Sequence, residues 1–122
     1  MMNDDSTTLS GLKTLVTDFR DARDWKQFHN PKDLATAISI EAAELLELFL
    51  WKSTDEIEAM ISDPSKMEKI QEELADVLIF SLSFSEVTGI DLSSAIRGKL
   101  AKNARKYPVD KARGSAKKYT DL

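Results

Sequence analysis

Two dipeptides constrain this chain more than anything else in it. Asn30-Pro31 and Asp63-Pro64 each set a capping side chain directly before a proline. Proline suits a helix only at its first position, where no amide partner is lost, so each pair marks a helix start. Further punctuation agrees. Ser53-Thr54-Asp55-Glu56 is a capping box, Gly89 follows a long apolar run, Asp91 caps the next segment, and Pro108 stops it. With only 4 Gly and 3 Pro in 122 residues, the breaks are too sparse for a turn-rich β fold. The intervals between them read as helices. A first helix runs from about Thr8 to Lys26, with Leu9, Leu12, Leu15, Val16 and Phe19 at helical spacing. A second reaches about Trp51, a short one ends near Ile61, a long third ends near Thr88, and a fourth follows Asp91. The expectation is an all-α bundle of four long helices.

The length fits one domain, taken here as residues 1–108, followed by a tail over 109–122 without apolar periodicity. Lys111, Arg113, Lys117 and Lys118 make that tail basic. The whole chain is acidic: 17 Lys+Arg against 21 Asp+Glu give 17 − 21 = −4, which argues against a nucleic-acid polymer as partner. The absence of Cys excludes disulfides, thiolate metal sites and Cys nucleophiles, and the single histidine excludes a multi-histidine zinc site. The first ten residues are polar and acidic, and no apolar run approaches the ~20 residues that span a bilayer. The expectation is a cytoplasmic protein that does not engage a membrane.

Helical wheels, at ~100° per residue, put carboxylates where leucines belong. In the second helix Leu34, Ile38, Leu45, Leu48 and Phe49 define an apolar arc. Glu41 falls inside it, Glu44 at its border, and Glu47 further round, toward Ile40. In the third helix Ile70, Leu74, Val77, Phe80 and Phe84 define the arc. Glu73 projects between Phe80 and Phe84, Asp76 lies at the edge, and Glu72 points to solvent. Surface helices carry many ExxE pairs without consequence. Two pairs that each have a member inside an apolar arc are different, because clustered ionised carboxylates repel and lose hydration at several kcal/mol per ion. Cations compensate such a cluster. Oxygen-only ligands suit hard metals, Mg²⁺ first and Mn²⁺ second. A di-iron centre needs Glu-x-x-His pairs, which His29, in a loop, cannot supply.

On the fourth helix Lys99, Asn103 and Tyr107 recur at i, i+4 and i+8. That stripe is either an amphipathic helix end or, beside a metal cluster, a cradle for phosphate oxygens. Trp25 and Trp51, the only tryptophans, each end a helix. They anchor a core edge, or they stack on a flat ring whose edge His29 hydrogen-bonds. Around Val77–Phe84 the third helix is apolar nearly all round, more than a lone small bundle buries, which asks for a partner chain.

These residues resemble a known family. Glu41-Ala-Ala-Glu44, 28 intervening residues and Glu73-Leu-Ala-Asp76 are similar to the ExxE…ExxD pattern of the all-α, MazG-like nucleoside triphosphate pyrophosphohydrolases. Four further blocks resemble the dCTP pyrophosphatase branch: Arg23-Asp24-Trp25-Lys26-Gln27-Phe28-His29, the run Glu44–Trp51, Asn103-Ala104-Arg105-Lys106-Tyr107-Pro108-Val109, and the run Arg113–Tyr119. The resemblance covers about residues 19 to 120 and is weak over Thr54–Lys66. It implies a Mg²⁺-dependent enzyme that cuts between the α- and β-phosphates, releasing a nucleoside monophosphate and pyrophosphate. It implies metal ligation by Glu41, Glu44, Glu73 and Asp76. Phosphate contacts would come from Lys99 and Asn103, with Arg105 or Tyr107, and the base would lie among Trp25, His29 and Trp51. It also implies a homo-oligomer, dimer or tetramer, with sites between subunits.

The reading is thus a dNTP pyrophosphohydrolase preferring dCTP or modified cytosine nucleotides, serving nucleotide-pool housekeeping, with Glu44 or Glu47 as general base and Lys99 stabilising the leaving pyrophosphate. Two others stand beside it. A sibling enzyme would act on dUTP, a phosphoribosyl-ATP-like metabolite or an oxidised nucleotide. A non-catalytic helical interaction module would leave the acidic pairs as surface decoration.

Overall fold

The computed structural model describes residues 2–122, which form helices joined by short turns and, among the described residues, no strand. The chain makes two compact units, one up to Gly89 and one over Ile90–Leu122. In the first unit α1 (Leu9–Asp21), α2 (Pro31–Glu47) and α3 (Thr54–Ile61) all pack on α4 (Pro64–Thr88), α2 most extensively. Each start is written in its cap. Asn30 accepts from the Asp33 amide, Ser53 and Glu56 close the reciprocal capping box, and Asp63 accepts from the Ser65 amide. Gly89 ends α4 with φ +73°, a left-handed geometry that costs glycine nothing.

Two helices stop earlier than their periodicity suggests. Instead of reaching Lys26, α1 ends at Asp21, because Asp24 takes a left-handed backbone (φ +53°) and closes a Schellman turn. The Asp24 amide donates to the Asp21 carbonyl (3.1 Å) and the Trp25 amide to the Arg20 carbonyl (3.1 Å). Lys26–Phe28 then forms a single 3₁₀ turn. Instead of reaching Trp51, α2 ends at Glu47 and unwinds through tight turns to Trp51, itself left-handed at φ +63°. Neither stop carries glycine, so nothing local announces it.

The second unit holds α5 (Leu92–Lys106), capped by the Asp91 carboxylate, and two elements the hydropathy pattern misses. Pro108 opens a four-residue helix, α6 (Val109–Ala112), and Tyr119–Asp121 makes a 3₁₀ turn. The tail is therefore ordered without apolar periodicity, held by backbone bonds to Pro108 O and by the Tyr119 ring standing edge-on to Tyr107 at 6.0 Å.

Leu34, Met60 and Leu82 are the wholly buried apolar residues among those described. Leu12, Leu15, Phe19, Leu78 and Ile79 remain exposed and, with Val16, Ala75 and Leu82, line an apolar groove of about 450 Å³ between α1 and α4. No single helix is long and apolar enough to cross a membrane.

Candidate functional site

The packing of α2 on α4 brings the two acidic pairs together. One carboxylate oxygen from each of Glu41, Glu73 and Asp76 lies within 4.8 Å of the others. Glu73 is 6 % exposed, and Glu41 and Asp76 are half-buried. Glu41 Oε2 and Glu73 Oε2 are buried without a hydrogen-bond partner. An acceptor oxygen shut away from water and left unpaired is costly, and two beside each other more so. A cation answers both. The all-oxygen donor set fits a hard divalent ion such as Mg²⁺.

Glu44, one turn on from Glu41 and half-buried, belongs to the same electrostatic group. Hydrogen bonding to Glu41, then to Glu73, and the charge of both push its carboxyl up to about 7. Glu44 therefore ionises later than an ordinary carboxyl, because a third negative charge beside Glu41 and Glu73 is costly. Lys69 supplies what positive charge the cluster has. Its Nζ reaches Glu73 Oε1 at 2.8 Å, one turn back on α4, and holds the Glu73 carboxyl below the ordinary carboxylate range against the opposing effect of burial. The residue escaped the motif reading, although its i, i+4 spacing to Glu73 was available. Glu47 and Glu72 point to solvent.

At the end of α1 the Schellman turn places Trp25 edge-on to Phe19, ring centroids 5.9 Å apart, with the Arg23 guanidinium 3.6 Å over the Phe19 ring. His29 follows the 3₁₀ turn, half-buried, its Nδ1 enclosed and without a hydrogen-bond partner. Burial, then the charge of Arg20, push its imidazole down, with Glu86 opposing. Trp51 is 92 % exposed on a left-handed backbone, a costly position for a bulky side chain. It anchors no core edge within this chain.

Lys99, Asn103, Arg105 and Tyr107 belong to the second unit, on α5 and at its end. Lys99 and Arg105 are exposed, Asn103 is half-buried, and Tyr107 packs against Tyr119.

Likeness to known proteins follows the same residues. The model of the MazG-like family matches residues 36–122, which include all four acids and α5. The chain belongs to the MazG-like family. Curated relatives within reach of this MazG-like chain are named dCTP pyrophosphatase 1. The mouse protein (Mus musculus) is 43 % identical over 115 residues, covering 94 % of this chain and 68 % of the relative. The human protein (Homo sapiens) is 40 % identical over the same shares. A crystal structure of a pyrophosphatase from Archaeoglobus fulgidus superposes with a TM-score of 0.77 at 39 % identity, over 88 % of this chain and 99 % of that one.

Proposed function

We propose that this MazG-like protein is a nucleotide pyrophosphohydrolase that cleaves dCTP, or modified cytosine deoxynucleotides, to the monophosphate and pyrophosphate with Mg²⁺ and so serves nucleotide-pool housekeeping. The enzyme class is supported by the curated dCTP pyrophosphatase relatives and by the archaeal pyrophosphatase structure. The observation that carries the metal is the trio Glu41, Glu73 and Asp76 with its two unpartnered buried oxygens.

In this proposal Glu41, Glu73 and Asp76, joined by Glu44, hold the ion. A divalent cation there supplies positive charge for the triphosphate oxygens and acidifies water. Lys69 keeps Glu73 ionised and oriented. Glu44, whose carboxyl stands at about 7 before the ion binds, is the candidate general base. Glu47, exposed one turn further, is the alternative base. Lys99 stabilises charge on the leaving pyrophosphate, with Asn103, Arg105 and Tyr107 contacting phosphate oxygens. Trp25, His29 and Trp51 receive the base. The active protein is a homo-oligomer, dimer or tetramer, whose contacts cover the apolar groove between α1 and α4. The catalytic domain is residues 1–108, and the basic segment over 109–122 adds substrate affinity.

The test is a panel of dCTP, 5-methyl-dCTP, dUTP, an oxidised purine nucleotide and a phosphoribosyl-ATP analogue, assayed for pyrophosphate release with and without Mg²⁺. Fastest Mg²⁺-dependent release from a cytosine nucleotide is the expected result. Preference for another member of the panel would overturn the substrate, and no release from any would leave a non-catalytic helical module.

A further inference from the structure

Arg20 is the one wholly buried residue of α1, and it is charged. Its guanidinium stands at a helix position, four residues after Val16, where an apolar side chain would be the ordinary choice. A buried cation persists only when it is paired. Arg20 Nη1 donates to Glu86 Oε2 of α4 at 2.5 Å, and its Nε donates to Asp21 Oδ1 at 2.8 Å. The same residue's carbonyl accepts from the Arg23 amide (3.2 Å) and the Trp25 amide (3.1 Å). One residue therefore ties α1 to α4 through its side chain and closes the following turn through its backbone. That turn delivers Trp25 and, one 3₁₀ turn later, His29. Arg20 from α1 and Glu86 from α4 are the charged groups that act on the imidazole, whose enclosed Nδ1 has no hydrogen-bond partner.

We propose that the Arg20–Glu86 pair positions the base-recognition segment, fixing the turn from Arg23 to His29 against α4 in one orientation. The inference rests on the nucleotide reading above for what the segment recognises, and on the cross-link alone for how it is held. Burial first, and then the Arg20 charge, favour the neutral form of the His29 ring, which has one donor and one acceptor nitrogen rather than two donors. With Nδ1 enclosed, Nε2 is the ring atom left to meet the base edge, as acceptor from the cytosine amino group or as donor to its ring nitrogen. An imidazolium would meet only acceptors. Arg20 and Glu86 are thus positioning residues for Trp25 and His29, and neither touches the reacting phosphates.

His29 is the only histidine, so its Cε1–H gives a single imidazole signal whose pH titration can be followed by NMR. Three variants are compared with the wild type: Arg20→Gln, Glu86→Gln and Arg20→Lys. Removing the guanidinium leaves Glu86 unopposed and moves the His29 midpoint up. Removing the Glu86 charge moves it down. Both changes raise KM for dCTP about tenfold with kcat held within about twofold, the split expected of lost ground-state positioning. Arg20→Lys, which keeps the charge, returns KM toward the wild-type value. A His29 midpoint that moves in neither Gln variant overturns the proposal. So does a parallel fall of kcat and helical circular dichroism in Glu86→Gln, which would make the pair a matter of fold alone. Absence of dCTP turnover by the wild type would sink the substrate reading instead, and the His29 midpoints would still decide this one.

Discussion

Glu41 and Glu73 each leave one carboxylate oxygen buried and unpartnered, although Glu73 pairs through its other oxygen with Lys69. Replacing either with Gln keeps the shape and removes the charge. We expect Glu41→Gln and Glu73→Gln to lower Mg²⁺-dependent turnover by more than about a hundredfold while circular dichroism stays unchanged. Because a like-charge contact disappears, metal-free Glu41→Gln should melt no lower than the wild type, whereas Glu73→Gln also gives up the ion pair with Lys69 and should melt lower. Full activity in either would remove it from the metal set. Glu44 carries a pH prediction of definite sign. Its folded-state carboxyl is raised from an ordinary 4.5 to about 7, so between those values the folded protein binds a proton that the unfolded chain has released. Stability then falls as pH rises. The metal-free protein should lose melting temperature from about pH 5 to pH 8. Glu44→Gln should flatten that slope, and Mg²⁺, which replaces the proton, should protect more at pH 8 than at pH 6. A wild-type melting curve independent of pH across that window would contradict the assignment.

At the scale of elements, the ends of α1 and α2 matter more than their middles. The turn that ends α1 closes on a left-handed Asp24, the turns that follow α2 run out on a left-handed Trp51, and both place an aromatic ring in or next to the turn. A left-handed L-residue costs about 1–2 kcal/mol, so the exposed Trp51 ring is held in place against its own backbone preference. Stacking a base on such a ring yields roughly 1–3 kcal/mol and tolerates base identity. We expect Trp51→Ala to raise KM for all pyrimidine nucleotides together. His29→Ala, which removes hydrogen bonding at the base edge, should narrow the gap between dCTP and its competitors. Kinetics with dCTP and dUTP for both variants distinguish the two roles, and equal losses for every nucleotide in the His29 variant would reject its part in selectivity. Lys69 belongs to this scale too. Spaced one helical turn from Glu73, it lends α4 a positive charge at the one wholly buried acid among the described residues.

For the whole molecule, three wholly buried apolar side chains among the described residues are a thin core, and the groove between α1 and α4 stays open. Each large apolar side chain taken from water contributes about 1.5–3 kcal/mol, so a second copy over that groove would stabilise both. We expect Leu15→Lys combined with Leu78→Lys to shift the protein toward monomer in light scattering and to lower its melting temperature. An unchanged mass would place the subunit contact elsewhere. The tail is testable by truncation after Val109. Loss of its cations should raise KM for dCTP with little change in kcat, and an unchanged KM would leave Lys111, Arg113, Lys117 and Lys118 as solvated charges.

Helix starts, the all-α class and the inward turn of Glu41 and Glu73 were legible in the chain alone, because caps and helical periodicity are governed by neighbours within about four residues. The early stops at Asp21 and Glu47 were not, since a left-handed aspartate has a weak local signal and the cap of α2, Leu48, keeps right-handed backbone angles. Packing decided the rest. That Glu41 meets Glu73 and Asp76 within 4.8 Å depends on how α2 lies against α4, and no periodicity within either helix encodes that distance. The same is true of Arg20 and Glu86, 66 residues apart. Arg20 falls on the apolar stripe of α1 as Glu41 does on that of α2, but only the fold supplies the partner that makes a buried guanidinium tolerable. The sequence by itself determined which side chains turn inward. The tertiary structure decided which of them meet, because burial is a property of one helix face and charge pairing is a property of two.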